Sequence, residues 1–395
     1  MSDRAQRSVA VAGGGLGGLA AALAFARMGW RATVVERAEA LREVGAGIQL
    51  SPNAIKALDH LGVGDEARAA GFAPQAVELR AWRSGRLAWR LALNPQIERR
   101  HGAPYRQIHR ADMLDILARA ALAAGVELRL GCEALGVSED ALQTDRGPLR
   151  ADLIVGADGV RSRLRAAAAG ASSPRFSGNV AFRGLVRADR LPGGAAPPCA
   201  TVWMGPRRHL VHYPLRGGEI VNFVAVIERA AWTEEGWSRP GDPEALRAEF
   251  ADWHPQARAI LDAADETFEW GLFGHDPLPS WRRGRLALLG DAAHPTTPFL
   301  AQGAAMAFED AVVLSRAVAA HGVADGLVAY EAARKPRATR LQQAARRTGR
   351  RFHARTALDG LAKFAALELF ARLAPGRAAA LNDWIYGYDP ARAPV

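Results

Sequence analysis

The sequence predicts an α/β protein: a doubly wound parallel-sheet domain, an antiparallel β-sheet inserted into it, and a helical C-terminal region. Three observations carry this. Val9–Arg37 reads as strand, glycine turn, helix, strand. Two later apolar runs, around Leu153–Val155 and Arg285–Leu289, each end in a Gly/Asp turn, as buried parallel strands do. Between them, Ser177 to Glu228 is strand after strand with only Pro/Gly clusters separating them, a pattern that needs an antiparallel sheet.

The first block is the most informative. Val9–Ala12 turns on Gly13-Gly14-Gly15-Leu16-Gly17-Gly18, an alanine-rich helix follows, Gly29 ends it, and Ala32–Val35 closes on Glu36-Arg37. The glycines stand as G-x-G-x-x-G. Gly13 permits the tight turn, Gly15 lets backbone N–H groups approach a pyrophosphate, and Gly18 lets helix and strand pack closely. Glu36, 21 residues after Gly15, lies where a carboxylate accepts from a ribose hydroxyl. This is a Rossmann-like dinucleotide unit; the carboxylate fits the AMP half of FAD or of NAD equally.

In order along the chain, Gly45 and Gly47 loosen the next loop, and Ser51-Pro52 reads as an N-cap with proline at the first helical position. Gln49, just before it, fits either a cleft or a solvated loop. Residues 76–91 alternate around Ser84-Gly85 as a hairpin. Arg110 opens a helix that Gly125 stops; there a guanidinium can meet phosphate or ribose. Ala157-Asp158-Gly159 ends the Leu153 strand, where doubly wound folds place ligand contacts, although an ordinary turn aspartate reads the same. In Arg208–Tyr213 a period of two puts His209, Val211 and Tyr213 on one face and Leu210 and His212 on the other. Gly290-Asp291 ends the last buried strand, Pro295–Pro298 follows, and a helix from about Gln302 offers free N–H groups at Gly303 and Ala304. The expected organisation is 1–75, 106–175 and 281–350 for the nucleotide domain, 76–105 and 176–280 for the inserted sheet domain, and 351–395 for the helical end.

Composition narrows the classes. Hydrophobic residues make up 49% and charged residues 23%, which reads as globular, and no run approaches a membrane span or a signal peptide. A cytoplasmic protein is expected. The net charge of +10 is mostly scattered arginine, so nucleic acid is not the expected partner; the clusters Arg334–Arg340 and Arg346–Arg351 read as solvated helix faces. Cys132 and Cys199 form no paired motif and read as buried thiols; no spacing points to a metal.

Together, Gly13–Gly18 with Glu36, Ala157-Asp158-Gly159 and Gly290-Asp291 resemble the three fingerprints of the single-component FAD-dependent aromatic hydroxylases. The closing WIYGYDP and the strand RHLVHYP look like the branch with salicylate, 3-hydroxybenzoate and 6-hydroxynicotinate hydroxylases. The resemblance implies FAD held by Gly13, Gly15, Gly18, Glu36, Arg37, Arg110, Asp158, Asp291, Pro298, Gly303 and Ala304. It implies NADH or NADPH as co-substrate, and O2 activated as a flavin C4a-hydroperoxide that attacks a small hydroxylated aromatic or N-heteroaromatic carboxylate. By position, His209 corresponds to the active-site histidine, Tyr213 to the ring-contacting tyrosine and Gln302 to a polar residue facing substrate. Gln49, Val211, Phe223 and Phe299 are expected to line the pocket, and a monomer or homodimer is expected. The same scaffold also serves epoxidases and urate-type hydroxylases, and a non-catalytic flavin-binding sensor is the reading from outside enzymology.

Overall fold

The computed structural model describes residues 6–41, 47–170, 174–232, 239–354 and 356–395. Gly45 lies outside the described residues.

The glycine turn sits inside a six-stranded sheet ordered Arg282–Arg283, Leu286–Leu288, Leu153–Gly156, Ser8–Ala12, Arg31–Glu36, Glu127–Leu130. All neighbours are parallel except the Arg282–Arg283 edge. The first strand is central, paired on one side with its sequence successor and on the other with a strand from 141 residues later (Val9 opposite Ala32 and Leu153; the positions Ala12 and Leu153 bracket the crossover). Such a reversal of strand order opens a crevice beyond the carboxyl ends of the strands. The helix Leu16–Arg27 is apolar nearly all round, and accordingly it is buried between this sheet and the long helix Gly303–Phe352.

The inserted domain is an eight-stranded sheet. Its order is Arg239–Pro240, Phe268–Gly274, Arg175–Arg187, Ile220–Glu228, Arg208–Leu215, Cys199–Gly205, Ala76–Ala81, Leu87–Ala92. The hairpin expected at 76–91 thus joins the strands of 176–280, as alternation in both segments implied. On one face Leu210, Phe223, Ala225 and Trp203 pack with Phe250 and Trp253 under the helices Pro243–Glu249 and Pro255–Asp262. The other face carries Val211, Tyr213, Val224 and Val226. Two small sheets complete the strands: Ala134–Val137 with Ala141–Thr144 and Gly147–Arg150, and Gly47–Leu50 paired antiparallel with Arg106–His109. The latter pair packs at the inner face, because Gly47 lies under the Tyr213 ring; a Cβ there would meet the ring at 2.5 Å.

The long helix bends at Gly322, whose φ of 75° breaks the helical run. It is long and apolar enough in one window to cross a membrane by length and composition, and half of that window is buried in this fold. Arg334, expected on a solvated face, is fully buried instead. Its reason is electrostatic: the guanidinium pairs with Glu309 and with Asp310, each at 2.7 Å, from the first turns of the same helical stretch. Both cysteines are buried and free.

Candidate active site

The three glycines behave as three different physical requirements. Gly13 has φ +105°, and a Cβ there would stand 2.3 Å from the Ala157 carbonyl oxygen; at Gly18 it would stand 1.9 Å from the Gly13 carbonyl oxygen. At Gly15 a Cβ would meet nothing within 4 Å, so the side from which a pyrophosphate would approach is open. Glu36 reaches back to this turn, its carboxylate accepting from Gly14 N–H at 2.7 Å and Ala38 N–H at 3.0 Å. Arg37 is exposed just beyond it.

The second and third strand tips are tied to one another by an arginine that sequence reasoning missed. Arg165, buried on the helix Leu164–Ala169, donates to the carbonyls of Val160, Asp291 and Ala292 at 2.7–2.8 Å, tying the two tips together. Asp158 does what a turn aspartate does. Its carboxylate accepts from Ser162 Oγ at 2.5 Å and from Arg163 and Leu164 N–H, so it ties the strand tip to the start of that helix, and the side chain stays partly exposed. Asp291 is different: it is surrounded by protein yet open to water, the signature of a group lining an interior crevice. Burial raises its carboxyl above the ordinary value, and the charges of His294, Arg110 and Arg165 pull it back, which brings Arg110 and Asp291 to one locale.

Beyond Asp291, Pro298 lies exposed on the single turn Pro298–Leu300, and Ala301 adopts a left-handed φ of 53° before the long helix starts at Gly303. A non-glycine residue held there marks a backbone that its surroundings dictate. The partly exposed Gly303 and Ala304 then present the positive helix end.

Gln302 is a correction. Rather than facing a substrate, its amide is spent inside the fold: Nε2 donates to Ser51 Oγ and Oε1 accepts from Asn53 Nδ2, both at 2.9 Å. The same Asn53 group donates to Glu309 at 2.7 Å; Glu309 pairs with Arg334 and Arg337; Asp310 pairs with Arg334 and with His294 at 2.5 Å and accepts from Gly290 N–H. This buried network pins the start of the helix Pro52–His60, the Gly290 tip and the start of the long helix to one another. Burial alone would raise Asp310, but His294 and Arg334 hold it down at about 2. Sequence offered one signal for it: Glu309-Asp310 interrupting an otherwise apolar helical run.

On the inner face of the inserted sheet the alternation expected from RHLVHYP holds. His209 is buried between the rings of Phe299, Phe352 and His353 at centroid distances of 4.8–5.5 Å. His212 points to the opposite face, where it accepts from Trp203 Nε1 at 3.0 Å. Tyr213 lies over Gly47; burial raises its phenol, a hydrogen bond with Gln49 opposing. Gln49 also accepts from Tyr105 at 2.5 Å, so it faces the cleft between the small sheet and the large one. Val211 and Phe299 are on the same side. Phe223 is a second correction. It stands opposite His212 in the strand pairing and packs behind the sheet with Trp203 and Leu210; Val224, opposite Val211, takes the pocket side. An open groove of about 850 Å³ between Leu87–Ala92 and the helix Ala357–Leu373 shares no residue with this site.

An open approach at Gly15, an acid at the Asp291 strand tip and a helix start at Gly303, together with a sheet that carries a buried histidine and tyrosine, describe a nucleotide-cofactor enzyme. Residues 6–345 match the family model described as the FAD binding domain, and the chain belongs to that family of FAD-dependent aromatic-ring monooxygenases. It is 38% identical over 390 residues to the 3-amino-4-hydroxybenzoate 2-monooxygenase PtnB3 of Streptomyces platensis, covering 97% of this chain and 96% of that one. It is 36% identical to the 3-hydroxybenzoate 6-hydroxylase of Polaromonas naphthalenivorans (strain CJ2), covering 98% of each. Among solved structures, Klebsiella pneumoniae HpxO complexed with FAD and uric acid superposes with a TM-score of 0.81 at 29% identity, over 94% of this chain and 96% of that one. FAD is the cofactor, and the open approach at Gly15 with the crevice acid Asp291 fits it.

Proposed function

We propose that this enzyme hydroxylates a small hydroxylated benzoate or N-heteroaromatic carboxylate, with NADH or NADPH as reductant and O2 as oxidant, in the cytoplasm. FAD, when bound, supplies the reduction of oxygen and its transfer to the ring. The chain supplies the rest. Gly13–Gly18, Arg110, Asp291 and the Gly303–Ala304 helix end hold the cofactor. Val211, Val224 and Phe299 give the apolar wall that excludes water, on which coupling of oxygen use to product depends. Tyr213 and Gln49 orient the ring, and Arg183, buried on the same face and stacked 5.1 Å over Trp270, supports an anionic ligand.

His209 Nε2 takes the proton of the ring hydroxyl, leaving an oxyanion that is the better nucleophile. The observation carrying this is the placement of His209: buried on the inner face, with Nδ1 engaged by the protein and Nε2 without a hydrogen-bond partner among the described residues.

A panel of 3-amino-4-hydroxybenzoate, 3-hydroxybenzoate, salicylate, 6-hydroxynicotinate and urate tests the reading, each scored for stimulated NAD(P)H oxidation and for hydroxylated product. Product from a carboxylate supports it. Product from urate alone moves the enzyme to the purine-directed class, and oxidation without product from any of them rejects hydroxylation.

A further inference from the structure

His209 is held by a second histidine. Its Nδ1 lies 2.6 Å from Nε2 of His353, and Nδ1 of His353 lies 3.0 Å from Oε1 of Glu228. The two imidazoles are buried, whereas the Glu228 side chain is about a third exposed at the end of its strand. Three groups thus run in line from the inner face of the sheet to solvent.

We infer that His353 and Glu228 form a proton relay that carries the substrate's hydroxyl proton from His209 to the surface. The inference rests on the reading of His209 as base.

The direction follows from what each atom can do. A carboxylate only accepts, so His353 donates from Nδ1 and its Nε2 carries a lone pair. His209 must then donate from Nδ1, which leaves its own Nε2 bare and able to accept. When Nε2 of His209 takes the substrate proton, its Nδ1 proton passes to Nε2 of His353, and the Nδ1 proton of His353 passes to Glu228 and on to water. No charge stays on either ring. The reverse transfer, as the product oxygen regains a proton, restores both tautomers.

The need for such a path is physical. Burial, then the neighbouring His353, lowers His209 well below the usual histidine value, so an imidazolium held there would be a poor resting place for the proton. Among the described residues no counter-ion touches it: Phe299 and Phe352 flank the ring. Around the outer members, Arg207 Nε pairs with the second Glu228 oxygen at 3.1 Å, and Lys363 Nζ donates to the His353 carbonyl at 3.3 Å. Arg207 thus places a cation beside the carboxylate at the outer end of the chain of groups. His353 and Glu228 act through His209 and are positioning residues.

Two arms test the relay on the holoenzyme. Nitrogen-resolved NMR of isotope-labelled histidine, without substrate, reads the tautomers: protons on Nδ1 of both His209 and His353 are expected, and a proton on Nε2 of His209 overturns the relay. In the second arm, His353→Gln, which keeps an acceptor for His209 but cannot pass a proton, and Glu228→Gln are turned over with whichever of 3-amino-4-hydroxybenzoate or 3-hydroxybenzoate the wild type hydroxylates. A loss of about tenfold or more, short of the ~10²–10⁴ of a lost base, with a shifted pH–rate profile and partial recovery in Glu228→Asp, is expected. Wild-type rates and profile in both variants, beside a damaged His209→Ala, overturn the relay and leave the base standing. An undamaged His209→Ala overturns the base itself. If neither acid is turned over, the tautomers alone decide.

Discussion

Trp203 Nε1 donates to His212 Nε2 at 3.0 Å behind the inserted sheet, whereas His209, three residues earlier, engages its partner on the front. The two histidines of RHLVHYP therefore answer to different substitutions. His209→Ala is expected to keep FAD and to lose coupled hydroxylation by ~10²–10⁴, with oxygen use diverted to peroxide. His212→Ala is expected to retain turnover but to destabilise the fold by about 1–3 kcal/mol, because it leaves the buried Trp203 N–H unpaired. Product yield and thermal denaturation on both variants check the division.

Acid sensitivity separates them too. Burial, reinforced by Arg80, lowers His212 to about 3, so the folded protein keeps it neutral while the unfolded chain binds a proton below 6.5. Its contribution to stability is present above pH 6.5 and is lost as pH falls toward 3, by up to about 1.4 kcal/mol per pH unit. His212→Asn, which can still accept from Trp203, is expected to flatten the melting temperature over that window. An unchanged slope would show that His212 is not the group responsible.

At the glycine turn, Gly18→Ala and Gly15→Ala are expected to fail differently. The first drives a Cβ to 1.9 Å from a carbonyl oxygen and should yield misfolded protein. The second meets no atom of the chain, so apo-protein should fold with its normal stability and bind FAD more weakly, since the added methyl occupies the phosphate approach. Flavin content and the stability of the apo-protein distinguish the two.

Arg334 lies between two buried acids. Arg334→Leu leaves Glu309 and Asp310 without their shared cation and is expected to cost about 3–5 kcal/mol. Asp310 is depressed to about 2, so its contribution is present above its ordinary value of 3.8 and disappears as pH falls toward 2. Denaturant unfolding of wild type and variant at neutral and acid pH measures the loss; a variant of wild-type stability would show that the network does not hold the strand tips.

Much of this architecture was legible because it is local. The glycine turn, the strand-end aspartates and the alternation around His209 are patterns of neighbouring residues, and each reappears in the fold. Elements that depend on chain crossings were not legible. Phe223 looked like a pocket residue until the pairing of its strand put it opposite His212. Gln302 looked free until Ser51 and Asn53, some 250 residues away, proved to hold both ends of its amide. Arg334 read as solvated because arginine-rich helices usually are, and only two acids in an apolar run hinted otherwise. His353 carries no local signal at all; it matters because the long helix brings it 2.6 Å from His209, across 144 residues of chain.

The most direct measurement is mass spectrometry of the product formed under isotopically heavy O2 with NAD(P)H and the preferred aromatic acid. One heavy oxygen atom per product molecule from the wild type, and reductant consumed without labelled product from His209→Ala, is the expected result. Unlabelled product from the wild type, or fully labelled product at wild-type yield from the variant, would contradict the assignment of His209 and of the chemistry it serves.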